Sequence, residues 1–518
     1  MSDGLQGGKP HDGAGNSDHS RQIVSASGQD RKQAVIAVDL GAESCRVSLL
    51  RWPQSKPDIQ LVHRFPNGPI REGASLRWDI RRICDGVRKG IEACAALAPE
   101  GIAAIGVDGW AVDYVRLGPD GEPVANPFCY RDERNVEALK QVHERISAKR
   151  LYELTGAQIL TINTLYQLYA DSSHLDQSVP WQNLPEYLLS HLGGKPVAEY
   201  TNATHTQLLD VTTHDWCPEI FAATGLHQKA APPVVAPGTV VGQLKGPLSS
   251  LPALRNTRLI APACHDTASA IAGIPAHGDD WGFISSGTWS LVGAVLPSAC
   301  VSEAAQNENF SNEGGVGGRI YFLKNVNGMW LLQQCIERWN AQGAKWTPEK
   351  LVGACHDFPA PNHLLQVDDP DLLLPGDMPA RINAQLKAAG EAAIPEDPAM
   401  APVVANLVFH SLAARYAEVL KSLASITGKQ LKRLFIVGGG GKNVLLNRLT
   451  AQSAGLEVLT GSTESATVGN LAIQLAALAN DYTQATGVSS LAVAKWAETL
   501  TAQPIRLISS PQEAVAIQ

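Results

Sequence analysis

The sequence predicts an α/β protein of two lobes laid out to one plan, with a cleft between them. Three observations carry that expectation. A strand, a glycine-containing turn and a second strand occur at 34–52 and again at 281–296. A strand, a run of glycines and a helix follow at 431–455. With 518 residues, 44% of them apolar, the chain can build two to four cored domains.

Composition removes several classes of function. There are 42 basic against 50 acidic residues, a net charge of −8. No basic excess is left to neutralise nucleic acid or an anionic membrane, although one nucleotide could still find a local basic pocket. No run approaches the ~18 apolar residues of a membrane span. The N-terminus lacks an apolar stretch after a basic start, so no secretory signal is expected. Nine cysteines form no Cys-x-x-Cys pair. They read as reduced thiols in a cytoplasmic protein, and no close Cys/His pairing suggests a structural zinc site. A monomer or small homo-oligomer is expected.

Residues 1–33 are rich in Gly, Ser, Asp and His and lack aromatics, so they are expected to be disordered. Order begins with the buried strand pattern AVIAVDL (34–40), broken at Gly41 and resumed at Arg46–Trp52 as a hairpin. Ile80, Ile83, Val87 and Ile91 fall at helical spacing within 79–98. Residues 102–110 and 112–117 read as another strand–turn–strand, and Pro119-Asp120-Gly121 as a tight turn. Residues 120–250 are irregular, with short helices and long loops of the kind that build substrate pockets. In the second half, Val404, Leu407, Val408, Leu412, Tyr416, Val419, Leu420 and Leu423 share one face of a strong helix. A helix is expected at 465–479; the tail after about 485 carries no clear signal, and Pro504 and Pro511 suggest that it ends in a loose segment.

Several clusters carry candidate chemistry, each with a plain structural alternative. Asp266, in Cys264-His265-Asp266-Thr267, is either a helix cap or a carboxylate that takes a proton or holds a metal. Ser285–Ser290 either turns a hairpin or offers amides and hydroxyls to a phosphate. Asp39 and Gly41 either make an ordinary turn or hold Mg2+ and admit phosphate, with Arg46 as counter-charge. Four glycines, Gly438 to Gly441, between strand and helix favour a nucleotide contact over a flexible turn. Asp108 and Asp113 flank Trp110. They either bond sugar hydroxyls while the indole stacks on a ring, or lie on a solvent-facing turn.

Together these stretches resemble the FGGY family of carbohydrate kinases from about Ala34 to Asn480, and within it the rhamnulokinase-like members. The resemblance rests on AVDLGAESCR (37–46), GVDGWAVDY (106–114), YRDER (130–134), TGAQILTINTLYQL (155–168), EYTNATHTQLLD (199–210), CHDTASA (264–270), SSGTWSLVG (285–293), NFSNEGG (309–315), LKNVNGMWLLQ (323–333) and VGGGGKN (437–443). It implies two actin-like (ribonuclease H-like) lobes, a ketose-binding lobe over 34–265 and an ATP-binding lobe over 266–485, followed by a 486–518 tail. It implies transfer of the ATP γ-phosphoryl group to the 1-hydroxyl of L-rhamnulose, with Asp266 as general base. Ala111, His265, Asp266, Thr267 and Asn325 would contact the sugar, beside Asp108 and Asp113. Ala42, Glu43, Ser44, Cys45 and Arg46 would line the phosphates, and Thr288, Gln333 and Gly439 would contact ATP. Mg2+ would lie near Asp39 and Asp266.

Four positions depart from the family pattern. Glu43 and Cys45 replace a serine and a glycine of the phosphate loop. A Glu43 that points inward would weaken ATP binding, and Cys45 would deny close backbone approach. Ala111 replaces a glycine that meets the sugar, and Gly109 lacks a threonine hydroxyl. These leave two alternatives: a kinase for another ketose, such as L-fuculose or a xylulose, or a non-catalytic sugar- or nucleotide-binding protein.

Overall fold

The computed structural model describes residues 34–171, 175–355, 358–374, 376–502 and 504–507. The expected disorder of 1–33, and Pro511, lie outside the described residues.

The first lobe is built on six strands: β1 (Ala34–Leu40), β2 (Ser44–Arg51), β3 (Asp58–Pro66), β4 (Ile102–Gly109), β5 (Thr239–Gln243) and β6 (Arg258–Ala261). Their order is β5-β6-β4-β1-β2-β3. β1–β2 and β2–β3 are antiparallel; β1–β4 and β4–β6 are parallel. The second lobe has seven: β7 (Trp281–Ser286), β8 (Trp289–Leu296), β9 (Ser311–Gly314), β10 (Ile320–Asn327), β11 (Arg433–Val437), β12 (Glu457–Thr460) and β13 (Ile505–Leu507), in the order β9-β10-β8-β7-β11-β12-β13. Here β7–β8 and β8–β10 are antiparallel, while β7–β11 and β11–β12 are parallel. The run β3-β2-β1-β4-β6 therefore has the topology of β10-β8-β7-β11-β12. The two-lobe expectation holds at the level of strand direction, not only of layout.

The all-apolar strands are those buried on both faces. β1 and β4 lie mid-sheet and every residue of each is buried, as parallel strands covered by helices require. Helix α1 (Ile80–Leu97) starts at Asp79, whose side chain accepts from Arg82 N at 3.0 Å. It buries Ile80, Ile83, Val87 and Ile91, the face read from the sequence. The other main helices are α2 (Asp266–Ala272), α3 (Trp330–Ala341), α4 (Ala401–Thr427), α5 (Val444–Ala454), α6 (Ser465–Leu478) and α7 (Ser490–Leu500).

α6 joins the lobes. Gln474 Nε2 donates to Ile36 O on β1 at 2.9 Å, and Ser465 Oγ to Ala270 O on α2 at 2.7 Å. α2 and α6 approach so closely that a Cβ on Gly469 would stand 1.8 Å from Ser269 O. Only glycine fits that crossing.

One expectation fails on long-range pairing. Residues 102–117 do not form a hairpin. β4 is taken on both sides by parallel partners, and Tyr114–Arg116 pairs instead with Trp181–Asn183. After 485 α7 packs on the lobe and β13 adds an antiparallel edge to β12; the end of the tail from 508 lies outside the described residues. All nine cysteines are free thiols. Among the described residues no helix is long and apolar enough to cross a membrane.

Candidate active site

The carboxyl end of β1 and the start of α2 bring three carboxylates together. Asp39 and Asp108 are directly paired on the parallel strands β1 and β4. Both Asp108 oxygens are buried, facing the side chains of Ser269 and Asn470. Burial, then the charges of Asp39 and Asp266, push Asp108 well above the usual carboxylate range. Asp39 is held by Arg46, whose Nη1 lies 2.8 Å from Asp39 Oδ2. Burial still raises Asp39, against the pull of Arg46. Asp266 is half-buried. Desolvation in the cleft, then the charge of Asp39, push it up to about 7.

Asp266 is not a helix cap. His265 holds the N-cap position of α2, and Asp266 is the first helical residue. An acidic group there gains from the helix dipole. The turn before it is fixed from behind. Glu199 Oε2 accepts from Cys264 N at 2.8 Å, Thr201 Oγ1 accepts from His265 N at 3.3 Å, and Gly109 N donates to Cys264 O at 3.0 Å. Glu186 in turn accepts from Glu199 N and from Asn202 Nδ2. Glu186 and Glu199 are positioning residues that sequence reading alone missed. Their only signal was a glutamate standing in otherwise apolar or small-residue stretches.

The β1–β2 turn places its residues unequally. Ala42, Ser44 and Arg46 are half-buried at the cleft, and Glu43 is exposed. Arg64 donates to Ser44 Oγ at 3.0 Å and adds a second cation beside Arg46. Cys45 does not line the cleft: strand alternation sends its side chain into the core of the first lobe.

Asp113 and Trp110 are corrected from sugar contact or solvent-facing turn to buried framework. Asp113 accepts from Trp78 Nε1 at 2.5 Å, Trp110 Nε1 at 3.0 Å, Gln167 Nε2 at 3.0 Å and Tyr130 N at 3.3 Å. The indole of Trp110 packs on Trp78, ring centroids 4.5 Å apart, rather than standing free for a sugar. Between them Ala111 is buried and Val112 sits at φ 71°, a left-handed conformation costly for a β-branched residue. Gly109 has its own reason: a Cβ there would stand 2.6 Å from that of Leu40.

Across the cleft, the β7–β8 hairpin carries Thr288 at its tip, half-buried. Trp330 N donates to Thr288 O at 3.1 Å and Met329 N to Gly287 O at 3.1 Å, so α3 starts under the hairpin and Gln333 follows within its first turn. The glycine run closes from the other side. A Cβ on Gly440 would fall 1.9 Å from Ser286 Oγ and one on Gly438 2.8 Å from Ser286 O, whereas Gly439 meets nothing within 4 Å. Two of the glycines are needed for packing, and Gly439 is the open one. Asn325, on β10, donates to Gln158 Oε1 of the first lobe at 2.9 Å. Thr267 hydroxyl donates to Asp266 Oδ1 at 3.2 Å. His265 Nε2 lies 3.4 Å from Asp266 Oδ1.

Two lobes of one topology, closing on a carboxylate at a helix start and a glycine-rich wall, match known proteins throughout. The N-terminal domain of the FGGY family of carbohydrate kinases matches residues 34–273, and its C-terminal domain residues 282–478. The chain belongs to the FGGY family of carbohydrate kinases. It is 36% identical over 453 residues to a rhamnulokinase from Bacteroides thetaiotaomicron, covering 86% of this chain and 90% of that protein. A rhamnulokinase from Enterococcus faecalis is also 36% identical, over 87% of this chain and 90% of its own. Among solved structures, a ligand-bound xylulose kinase from Lactobacillus acidophilus superposes with a TM-score of 0.75 at 17% identity, covering 93% of this chain and 95% of that one. A Plasmodium falciparum glycerol kinase with ADP gives 0.71 at 14% identity, covering 94% and 96%. These structural likenesses establish the two-lobed, actin-like fold of this sugar kinase.

Proposed function

We propose that this FGGY kinase transfers the γ-phosphoryl group of ATP to the 1-hydroxyl of L-rhamnulose, giving L-rhamnulose 1-phosphate. The observation that carries the reading is the placement of Asp266, a carboxylate titrating near neutrality at the mouth of the cleft, on a rigid turn. The 36% identity to two rhamnulokinases over most of the chain supports the choice of ketose.

Residues 34–265 would bind the ketose and 266–485 the nucleotide. Asp266 accepts the hydroxyl proton as the oxygen attacks phosphorus in line. His265, Thr267 and Asn325 orient the sugar, with Ala111 against it. Arg46, Ser44 and the amides at 42–45 meet the phosphates, and Thr288, Gln333 and Gly439 meet the nucleotide. Asp39 and Asp266 fit a divalent cation, because the charge of Asp39 pushes Asp266 up, a repulsion that a cation between them would relieve. Asp39 and Asp266 would hold Mg2+, which when bound neutralises phosphate oxygens. Closure of the lobes excludes water as a rival acceptor.

The test couples ADP release to a readout across a panel of ketoses, with Asp266→Asn as control. L-rhamnulose should give the highest kcat/KM, above L-fuculose and xyluloses. Asp266→Asn should lose about 10²–10⁴ in kcat with little change in ketose KM. Sugar binding without sugar-stimulated ADP release would overturn the kinase reading.

A further inference from the structure

Three side chains from three parts of the chain meet beside the catalytic turn. His205 lies in the short helical turn Thr204–Thr206, His265 stands at the N-cap of α2, and Glu313 is on β9, an edge of the second sheet. His205 Nε2 is 3.1 Å and His265 Nδ1 3.9 Å from Glu313 Oε2. One ligand atom from each lies within 4.8 Å of the others. The two imidazole rings cross at 60° with centroids 4.0 Å apart.

Apart from the close approach of His205 to Glu313, none of these three atoms has a hydrogen-bond partner, and His265 and Glu313 are 6% and 3% exposed. A buried polar atom left unpaired costs about 1–3 kcal/mol, so three of them converging on one point need a common partner. A single proton shared between His205 and Glu313 satisfies two of them and leaves His265 Nδ1 bare. One cation satisfies all three.

The geometry points to a divalent-cation site of the zinc class, bound by His205 Nε2, His265 Nδ1 and a Glu313 carboxylate oxygen, which ties the two lobes together. Two imidazoles and one carboxylate form a donor set suited to borderline metals with one open position, and unsuited to Mg2+ or Ca2+, which take oxygen. The lobes already touch here, since Gly314 N donates to Thr204 Oγ1 at 3.0 Å. Ligand bonds from Glu313 to His205 would make that seam a clasp. The site is distinct from the Asp39–Asp266 carboxylates, of which Asp266 meets the other ring nitrogen of His265.

The experiment titrates the metal-free full-length protein with Zn2+ by calorimetry and with Co2+ by visible absorption. Wild type should bind one equivalent, with intense cobalt bands of a four-coordinate N/O site and a higher thermal midpoint when zinc is present. His205→Gln and Glu313→Gln should each weaken binding by at least about tenfold and abolish the thermal shift. Should Glu313→Gln fail to fold, His205→Gln decides, since His205 lies at the partly exposed rim. No saturable binding would overturn the proposal. So would variants that bind like wild type, or cobalt spectra dominated by thiolate charge transfer. None of these readouts depends on kinase activity, so the site stands or falls independently of the assigned substrate.

Discussion

Asp39 and Asp108 are directly paired residues on parallel strands, and of the two Arg46 bonds Asp39. Strand spacing holds the two backbones under about 5 Å apart, in a place where water does not reach Asp108. The pair is costly to the fold and useful to a site that handles a charged ligand. Asp108→Asn should therefore raise stability by about 1–2 kcal/mol while lowering phosphoryl transfer. Thermal unfolding with and without Mg2+ checks it. Mg2+ should stabilise the wild type more than the variant, and a variant less stable than wild type in the absence of Mg2+ sinks the idea.

The glycine run separates packing from contact. Gly440→Ala drives a methyl into Ser286 and should cost about 1–3 kcal/mol by overpacking. Gly439→Ala meets nothing in the protein and should leave the unfolding midpoint unchanged while raising the KM for ATP. If Gly439→Ala leaves both unaltered, Gly439 does not touch the nucleotide.

Glu186 gives the fold a pH dependence. Burial pushes it up to about 7. Above its unfolded pKa the unfolded chain loses this proton while the folded chain keeps it. Stability therefore falls as pH climbs from about 4.5 towards 7, by up to roughly 1.4 kcal/mol per unit for one linked proton. Glu186→Gln should flatten that fall. The amide can take the Asn202 side-chain oxygen, which has no partner, once that side chain flips. Urea midpoints from pH 5 to 8 read the slope, and parallel curves for the two proteins would contradict the assignment.

At the phosphate turn, Arg46 and Glu43 should differ sharply. Arg46 bonds Asp39 and faces the cleft, so Arg46→Ala should raise the KM for ATP at least about tenfold. Glu43 is exposed to water, where a single charge is worth under about 1 kcal/mol. Glu43→Ser should keep the KM for ATP within about fivefold of wild type. A larger fall would mean that the carboxylate turns inward when ATP binds.

What the sequence determined by itself was local and periodic. The hairpins at 34–52 and 281–296, the helix face of Ile80 to Ile91 and the long helix through Tyr416 follow from apolar spacing and glycine breaks, because burial acts residue by residue. The motifs around Asp39, Asp266 and Gly438–Gly441 were legible for the same reason: each is contiguous. Only the tertiary structure decided which strands pair and what faces what. It sent Tyr114–Arg116 to Trp181–Asn183, put Cys45 into the core, and gave Asp113 to Trp78, Trp110 and Gln167. It drew His205, His265 and Glu313 together across more than a hundred residues of chain. Such contacts leave no periodic trace, since their energy depends on neighbours that the fold, not the chain, supplies.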